Sequence, residues 1–500
     1  MRNKVRFMSA REAAALIPSE KTITVEGFAW GFCFPEEVAL ELERRFIETG
    51  EPHDMTLFFG AGPGDKENRG FNRFGHEGLL KTIIGSHYAL NPKLQKLVAA
   101  EKVDAYNMPL GVIAQGFREL AAGKSGVLSQ VGLKTFIDPR FGGGRLNEKA
   151  DHDVAELTVI GEEEYLYYKM PKPDVVLLRG TYSDENGNIA MNKEVVPLTG
   201  ISLAQACHNN GGLVIVQVEK VVKAGSLNPK KVEIPGILVD IVVEAQNAEN
   251  HMLNFFNQYD PAYTGEIKEA LTEKTVNIPD SRKRAIAERA FQELKSGMIV
   301  NLGIGVPEYL ASIAKEKNCL DEFSFTVECG IMGGLVQSGT DFACSKNPDA
   351  LIDMAYMFDF YHGGGLDLTC LGFAEIDREG NVNVGRIGDT TPGVGGFIDI
   401  SQNTGTVIFC GTMFAGKGKI KFKEKVEQIS FNGRHAMEKG QRVLYITDAA
   451  VFQMTEEGLE LTEIFSGKDL EKDILEKMEF RPIIDNLKTI ELHQETKGDK

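Results

Sequence analysis

One order of elements runs through this chain twice, and that repetition limits the folds open to it. Gly31-Phe32-Cys33-Phe34-Pro35-Glu36 recurs as Gly303-Ile304-Gly305-Val306-Pro307-Glu308. In each copy an apolar strand precedes the glycine and Pro-Glu opens a helix, where proline is tolerated and an acid suits the helix dipole. A second strand ending in glycines follows: Phe59-Gly60-Ala61-Gly62 in the first copy, Glu328-Cys329-Gly330 in the second. Triple glycines come next, at positions 142–144 and 363–365. Last, Asp184-Glu185-Asn186-Gly187-Asn188-Ile189 matches Asp377-Arg378-Glu379-Gly380-Asn381-Val382, each a hairpin turn between short strands. Matches in the same order throughout indicate an internal duplication.

Periodicity fills in the rest. Apolar runs at 22–26, 55–59, 174–178 and 213–218 read as strands in the first part, and those at 298–302, 323–327, 406–410 and 442–446 in the second. Helical patterns lie between them at 35–47, 113–122, 282–295 and 307–317. Such alternation predicts an α/β protein: two related α/β domains with largely parallel sheets, a tandem duplication. The expected domains are 1–270 and 281–500, joined through the polar segment 264–280. One difference between the copies matters for chemistry. Where the second carries Glu328, the first has Phe58 and Phe59. The expectation is that one half keeps a reactive acid while the other shapes the pocket.

Composition narrows the function classes. The 500 residues, 42% hydrophobic and 25% charged, are ordinary for a soluble globular protein. A net charge of -17 argues against a nucleic-acid partner, which demands a basic surface. Arg282-Lys283-Arg284 reads as the solvated face of a helix. Residues 1–8 carry charges with no apolar segment behind them, so no signal peptide is expected, and no stretch approaches the roughly 20 apolar residues of a membrane span. The seven cysteines are scattered and never spaced C-x-x-C. A reduced, cytoplasmic protein without disulfides or a bound metal is expected. Cys329 has no histidine nearby in sequence to activate it and reads as a packing residue.

The candidate nucleophile is Glu328, in Phe325-Thr326-Val327-Glu328-Cys329-Gly330. A strand that ends in one carboxylate and then in glycine delivers that acid to a turn with no bulky neighbours, where it can attack an activated acyl group. A solvated sheet edge is the alternative. Thr391-Pro392-Gly393-Val394-Gly395-Gly396-Phe397 is either a flexible turn or a loop whose bare amides point into a cavity and stabilise an oxyanion or a phosphate. Gly303-Ile304-Gly305 is either a tight βα turn or an approach for an anionic ligand at a helix N-terminus. Gly416-Lys417-Gly418-Lys419 offers cations on a glycine-rich turn, for phosphate or for solvent. Three strings fail as motifs. Gly123-Lys124-Ser125 lacks the first P-loop glycine, Gly60-Ala61-Gly62-Pro63-Gly64 is not G-x-G-x-x-G, and His362-Gly363-Gly364-Gly365 has no G-x-S-x-G to go with it.

Two of these patterns together, E-x-G at Glu328-Cys329-Gly330 and G-x-G-G-F at residues 393–397, resemble the family I coenzyme A transferases of the single-chain propionate and acetate type. The strings at 131–140 and 478–484 support the likeness, which covers essentially the whole chain. It implies two α/β domains equivalent to the α and β subunits of two-chain relatives, Glu328 as the catalytic residue, and Gly395 and Gly396 in an oxyanion hole. Gly303, Gly305, Gly393, Phe397 and Lys417 become candidate contacts for coenzyme A, which enters as co-substrate and not as a bound cofactor. Its partners would be an acyl-CoA and a short-chain carboxylate, on a homo-oligomer, dimer or tetramer. Relatives acting on keto acids carry Gln in a Pro-Gln-Gly turn where this chain reads Pro109-Leu110-Gly111, which puts the carry-over of substrate preference in doubt.

The chemistry implied moves CoA between two acids through a mixed anhydride and a glutamyl-CoA thioester on Glu328. An acyl-CoA hydrolase could use the same acid and loop while admitting water. A ligand-binding sensor on the same fold would need neither.

Overall fold

The computed structural model describes residues 4–271, 278 and 280–491. Two ten-stranded sheets dominate it, one drawn from the first part of the chain and one from the second. Part of the expected linker, residues 272–277 and 279, lies outside the described residues.

The duplication is visible in the strand order. In the first sheet Met55–Phe58, Thr22–Val25, Val175–Asp184, Leu213–Val222 and Ile241–Glu244 lie side by side in that order, all parallel. In the second, Ser324–Val327, Ile299–Leu302, Leu368–Gly372, Thr406–Cys410 and Arg442–Ile446 do the same. These central strands are almost wholly buried, as parallel strands covered on both faces must be, and their Val/Ile/Leu content follows from that. The matching turns agree in detail. Asp184 Oδ1 accepts from the amides of Asn186 and Asn188 at 3.0 Å, and Asp377 Oδ1 from those of Glu379 and Asn381 at 3.0 Å.

Sequence periodicity locates the elements well. The strands Thr406–Cys410 and Arg442–Ile446 fall where the apolar runs place them. The helices appear as Glu36–Thr49, Leu110–Ala121, Ser281–Phe291 and Tyr309–Glu316. Two details differ. The strand expected at 174–178 continues to Asp184, because its hairpin arm is continuous with the central strand here and separate in the second half. The triple glycines are not equivalent: Gly363 closes the helix Met354–His362, whereas Gly142, Gly143 and Gly144 form a left-handed loop packed on Phe136, Asp153 and Asn107. A three-stranded antiparallel sheet over Gly126–Ser129, Glu163–Lys169 and Ala155–Ile160 has no counterpart in the second half and no strong periodicity to announce it.

The halves share one apolar core and are joined by close backbone contacts. Helix Leu110–Ala121 packs on helix Met354–His362 so tightly that a Cβ on Gly111 would stand 2.4 Å from Phe358 Cδ1. Arg118 is paired with Asp359 at 2.6 and 3.0 Å across the same seam. Most direct is Asn107, fully buried. Its Nδ2 donates to the carbonyls of Gly85 and Ser86 at 2.7 and 2.8 Å, and its Oδ1 accepts from Val394 N at 3.1 Å.

Asn107→Ala would leave the Val394 amide buried without a partner. The expected loss is about 2–3 kcal/mol of stability, read from the urea midpoint. A loss under about 0.5 kcal/mol, within the range of an ordinary surface substitution, would show that the seam does not depend on this side chain.

Candidate active site

Strand Ser324–Val327 is buried after its first residue, and Glu328 opens the turn that follows. That turn needs glycine two positions on: Gly330 has φ 121°, and a Cβ there would stand 2.0 Å from the Ile352 carbonyl oxygen. Glu328 is thus fixed in position by backbone geometry, with no ion pair among the described residues. Its Oε2 is buried and has no hydrogen-bond partner among the described residues. Burial, helped by the negative charge of Asp399 and opposed by its own backbone amide, pushes its carboxyl up to about 7.

The glycine-rich loop reaches this acid from the far side while being held by the first half. His87 and Gly393 form an antiparallel bridge, Tyr88 N donates to Pro392 O at 2.7 Å, and Gly395 N donates to Ser86 O at 2.8 Å. Leu110 N then donates to Gly395 O at 3.0 Å. Gly393, at φ 75°, could carry no side chain, because a Cβ would lie 2.5 Å from Ser86 O. These bonds separate two residues that the sequence treats as a pair. The Gly395 amide is committed to Ser86. The Gly396 amide, in a buried residue, has no partner among the described residues. A Cβ built on Gly396 would stand 3.5 Å from Glu328 Cγ and 3.3 Å from Phe358 Cζ and Ile400 Cδ1. Gly396, the residue with the unbonded N–H, therefore packs against the acid's side chain, and Gly395 anchors it.

The other expected residues are less central. Phe397 lies buried behind the loop with its ring centroid 5.7 Å from that of Phe409, supporting the wall and not lining an opening. Gly303 N donates to Cys370 O at 2.9 Å, and Gly305 N to Glu308 Oε1 at 2.6 Å. The carboxylate of the Pro-Glu pair thus takes the place an anionic ligand would use, although the space above Gly305 itself is open. The side chain of Lys417 lies outside the described residues. Phe59, the counterpart of Glu328, is closed inside the first-half core against Phe71 and Tyr88, at 4.5 and 5.4 Å between centroids. Its ring packs within the first half, whose contribution beside the acid comes instead from residues 86–88, 107 and 110. Cys329 is buried, which pushes its thiol well up and suits a packing role.

Several residues at the site carry no motif. His87 stands against the loop, its Cδ2 3.9 Å from a Cβ on Gly395, and burial together with Lys66 pushes its ring down to about 4, so it is neutral near pH 7. Asp399, fully buried two residues past the G-x-G-G-F string, meets His362 Nε2 at 2.9 Å through Oδ1, and its Oδ2 has no partner among the described residues. Gln115 contacts both His362 Nδ1, at 3.0 Å, and Asp359 Oδ1, at 2.9 Å, so the group beside Glu328 is tied back to the first half. Asp399 stood two residues from a motif, and His362 opened the His362-Gly363-Gly364-Gly365 string set aside in the sequence, while His87 and Gln115 gave no signal. Among the described residues no group of three or more His, Cys, Asp or Glu side chains could hold a metal, and no helix is long and apolar enough to cross a membrane.

Comparisons with known proteins agree on one family. A coenzyme A transferase family model matches residues 7–245 and 283–467. Acetate CoA-transferase YdiF of Escherichia coli K12 is 39% identical over 501 residues, covering 96% of this chain and 93% of that protein. Caffeate CoA-transferase of Acetobacterium woodii is 41% identical over 500 residues, covering 96% and 95%. The crystal structure of acyl-CoA transferase YdiF from E. coli O157:H7, a thioester complex with CoA, superposes with a TM-score of 0.90 at 38% identity, over 97% of this chain and 95% of that one.

Two substitutions test the geometry. Gly396 has φ -85°, open to any residue, so Gly396→Ala should cost little stability yet crowd Glu328; a fall in turnover of about 10- to 100-fold with an unchanged melting temperature is expected. Glu328→Gln tests burial. Because the folded carboxyl holds its proton up to about 7, against an ordinary value of 4.5, the native protein binds more protons than the unfolded chain between those limits. Native stability therefore drops as pH rises through that window. The Gln variant should be the more stable at pH 8, on the order of 1–3 kcal/mol, and lose that advantage near pH 4.5. An advantage independent of pH would contradict the burial argument.

Proposed function

The chain belongs to the coenzyme A transferase family, and from that premise we propose that it moves CoA between an acyl-CoA, such as acetyl-CoA, and a short-chain carboxylic acid by a ping-pong cycle through Glu328. The observation that carries this reading is the pairing of an unpartnered, half-buried carboxylate with a free amide at Gly396. In the first step the ionised Glu328 carboxylate attacks the thioester carbonyl. The C–S bond breaks, giving a mixed anhydride and the CoA thiolate. The thiolate then attacks the glutamyl carbonyl, releasing the first acid as its carboxylate and leaving a glutamyl-CoA thioester. A second carboxylate enters and the same steps run in reverse.

Each addition places negative charge on a carbonyl oxygen. The Gly396 N–H is the donor supported by the geometry, and one such bond is worth typically about 3 kcal/mol in the transition state. Gly395 acts by holding it, and Asn107 and Ser86 hold the loop in turn. Burial makes Glu328 a stronger nucleophile once ionised, at the cost of leaving part of the population protonated near neutral pH. Glu328 comes from the second half, while the first half supports the loop above it. Residues 1–270 and 281–500 would then act as the α-subunit-like and β-subunit-like domains of one site.

Intact-protein mass after mixing with acetyl-CoA alone, beside Glu328→Ala, tests the cycle. A covalent CoA adduct confined to the Glu328 peptide and discharged by added acetate or propionate is the expected result. The rate of adduct formation should rise with pH through about 7 as Glu328 ionises. Loss of acetyl-CoA that needs no acceptor acid and leaves no adduct would mean hydrolysis, and the transfer reading would fall.

A further inference from the structure

Asp399 lies near the reacting acid, and the cycle above gives it no part. It is fully buried in the short helix Phe397–Ser401, which begins directly after Gly396. The ring of Phe358 packs toward both acids. Its Cζ is 3.3 Å from a Cβ built on Gly396, which itself stands 3.5 Å from Glu328 Cγ. Its Cδ1 is 2.4 Å from a Cβ built on Gly111, which stands 2.7 Å from Asp399 Oδ1. Glu328 Oε2 and Asp399 Oδ2 are both buried, and neither has a hydrogen-bond partner among the described residues.

The partner Asp399 does have is His362, whose Nε2 meets Oδ1 at 2.9 Å. The state of that ring is set from behind. Gln115 Nε2 lies 2.9 Å from Asp359 Oδ1 and 3.0 Å from His362 Nδ1. A carboxylate accepts only from the donor end of the amide, so the same nitrogen donates to Nδ1, and the ring proton sits on Nε2, toward Asp399. In this arrangement His362 is a neutral donor. It bonds Asp399 without cancelling its charge. The groups packed around the pair supply no cation among the described residues. Arg118 is engaged with Asp359 at 2.6 and 3.0 Å. Tyr168 donates to Val131 O at 2.6 Å and Tyr361 to Thr326 Oγ1 at 2.8 Å, and burial pushes both hydroxyls up, as it does the Cys329 thiol.

This bears on where the cycle stores CoA. Over the first half of the cycle the acyl carbon loses the CoA sulfur and gains an oxygen from Glu328, while the Glu328 carboxyl carbon gains the sulfur. No proton is exchanged, and the negative charge leaves position 328 with the released carboxylate. A fixed negative charge nearby therefore raises the energy of the free, ionised enzyme and leaves that of the neutral thioester unchanged.

We propose that Asp399 is a positioning residue for the transfer: its charge, left in force by a neutral His362, drives Glu328 out of its free carboxylate form and into the glutamyl-CoA thioester. This rests on the transferase reading.

The test equilibrates full-length wild type and Asp399→Asn with one fixed ratio of acetyl-CoA to acetate. The thioester-bearing fraction is read by intact-protein mass between about pH 5 and pH 8.5. Asparagine keeps the oxygen that accepts from His362 and removes the charge. Near pH 8.5 the ratio of thioester to free enzyme should fall about three- to tenfold in the variant. Near pH 5 free Glu328 is protonated, a neutral acid and a neutral thioester meet Asp399 alike, and the two proteins should agree. The pH midpoint for the rate of adduct formation should move down by the same factor, because both readings measure one interaction. An unchanged ratio overturns the proposal. So does a loss equal at both pH values, or one without movement of the midpoint, since either marks a structural effect. If Asp399→Asn fails to fold, Asp399→Ser, also neutral, takes its place. Stability reads the contact without substrate: the advantage of Glu328→Gln at pH 8 should shrink in the Asp399→Asn background, and an undiminished advantage overturns the contact itself. A wild type that forms no adduct while that shrinkage is seen would sink the transferase reading and leave the charge contact standing.

Discussion

The structure depends on a short strip of backbone hydrogen bonds between residues 86–88 of one half and 392–395 of the other. Tyr88 N to Pro392 O and Gly395 N to Ser86 O, at 2.7 and 2.8 Å, turn a glycine-rich loop into an added strand-like segment. Without that strip the loop would have the mobility its glycines allow, and ordering it would cost conformational entropy at every turnover. With it, the loop is ordered before substrate arrives, and a single amide, Gly396, is left unbonded in the position nearest Glu328. Asn107 completes the arrangement by bonding both sides of the seam with one side chain. Glycine is needed at 393, where a Cβ would lie 2.5 Å from the Ser86 carbonyl oxygen, while at 396 a Cβ would come into contact with the acid at 3.5 Å.

Electrostatics at the seam follow from the same closeness. Glu328 and Asp399 are brought together, and among the described residues neither carboxylate is paired with a lysine or arginine, while His362 Nε2 meets Asp399 Oδ1 at 2.9 Å. The Asp399 charge adds to burial in holding the proton on Glu328. The Gln115, Asp359 and Arg118 contacts hold His362 in place, and because the Arg118–Asp359 pair is about a third exposed on each side, its value lies in orientation more than in stability. The first half thus holds in place groups that belong to the second.

Much of this was legible in the sequence, for identifiable reasons. Parallel strands buried on both faces are continuous apolar runs, so Thr406–Cys410 and Arg442–Ile446 could be bounded to the residue. Glu328 was a candidate because an apolar run ends there in one acid and then in glycine, a pattern weak by itself, and the structure adds a buried oxygen without a partner among the described residues. What could not be read was anything set by contacts between distant segments. Gly395 and Gly396 are adjacent and identical in type, yet the Ser86 carbonyl, some three hundred positions away in the chain, assigns them different tasks. Glu308 filling the Gly305 amide, Asn107 spanning the seam and Phe59 turning into its own core are of the same kind.

The duplicated plan explains how one residue can decide the chemistry. The Asp184 and Asp377 turns, with Oδ1 accepting from two amides at 3.0 Å in each half, are the same device preserved twice, because the geometry of a hairpin turn tolerates few alternatives. The position just after the second strand is under no such restraint. It can hold Phe59, closed inside an aromatic cluster, or Glu328, left with a buried and unsatisfied oxygen. The first choice favours stability; the second gives up some of it for a reactive group. A two-half protein can accommodate both, and the loop beside the acid is held from the half that buried its aromatic residue.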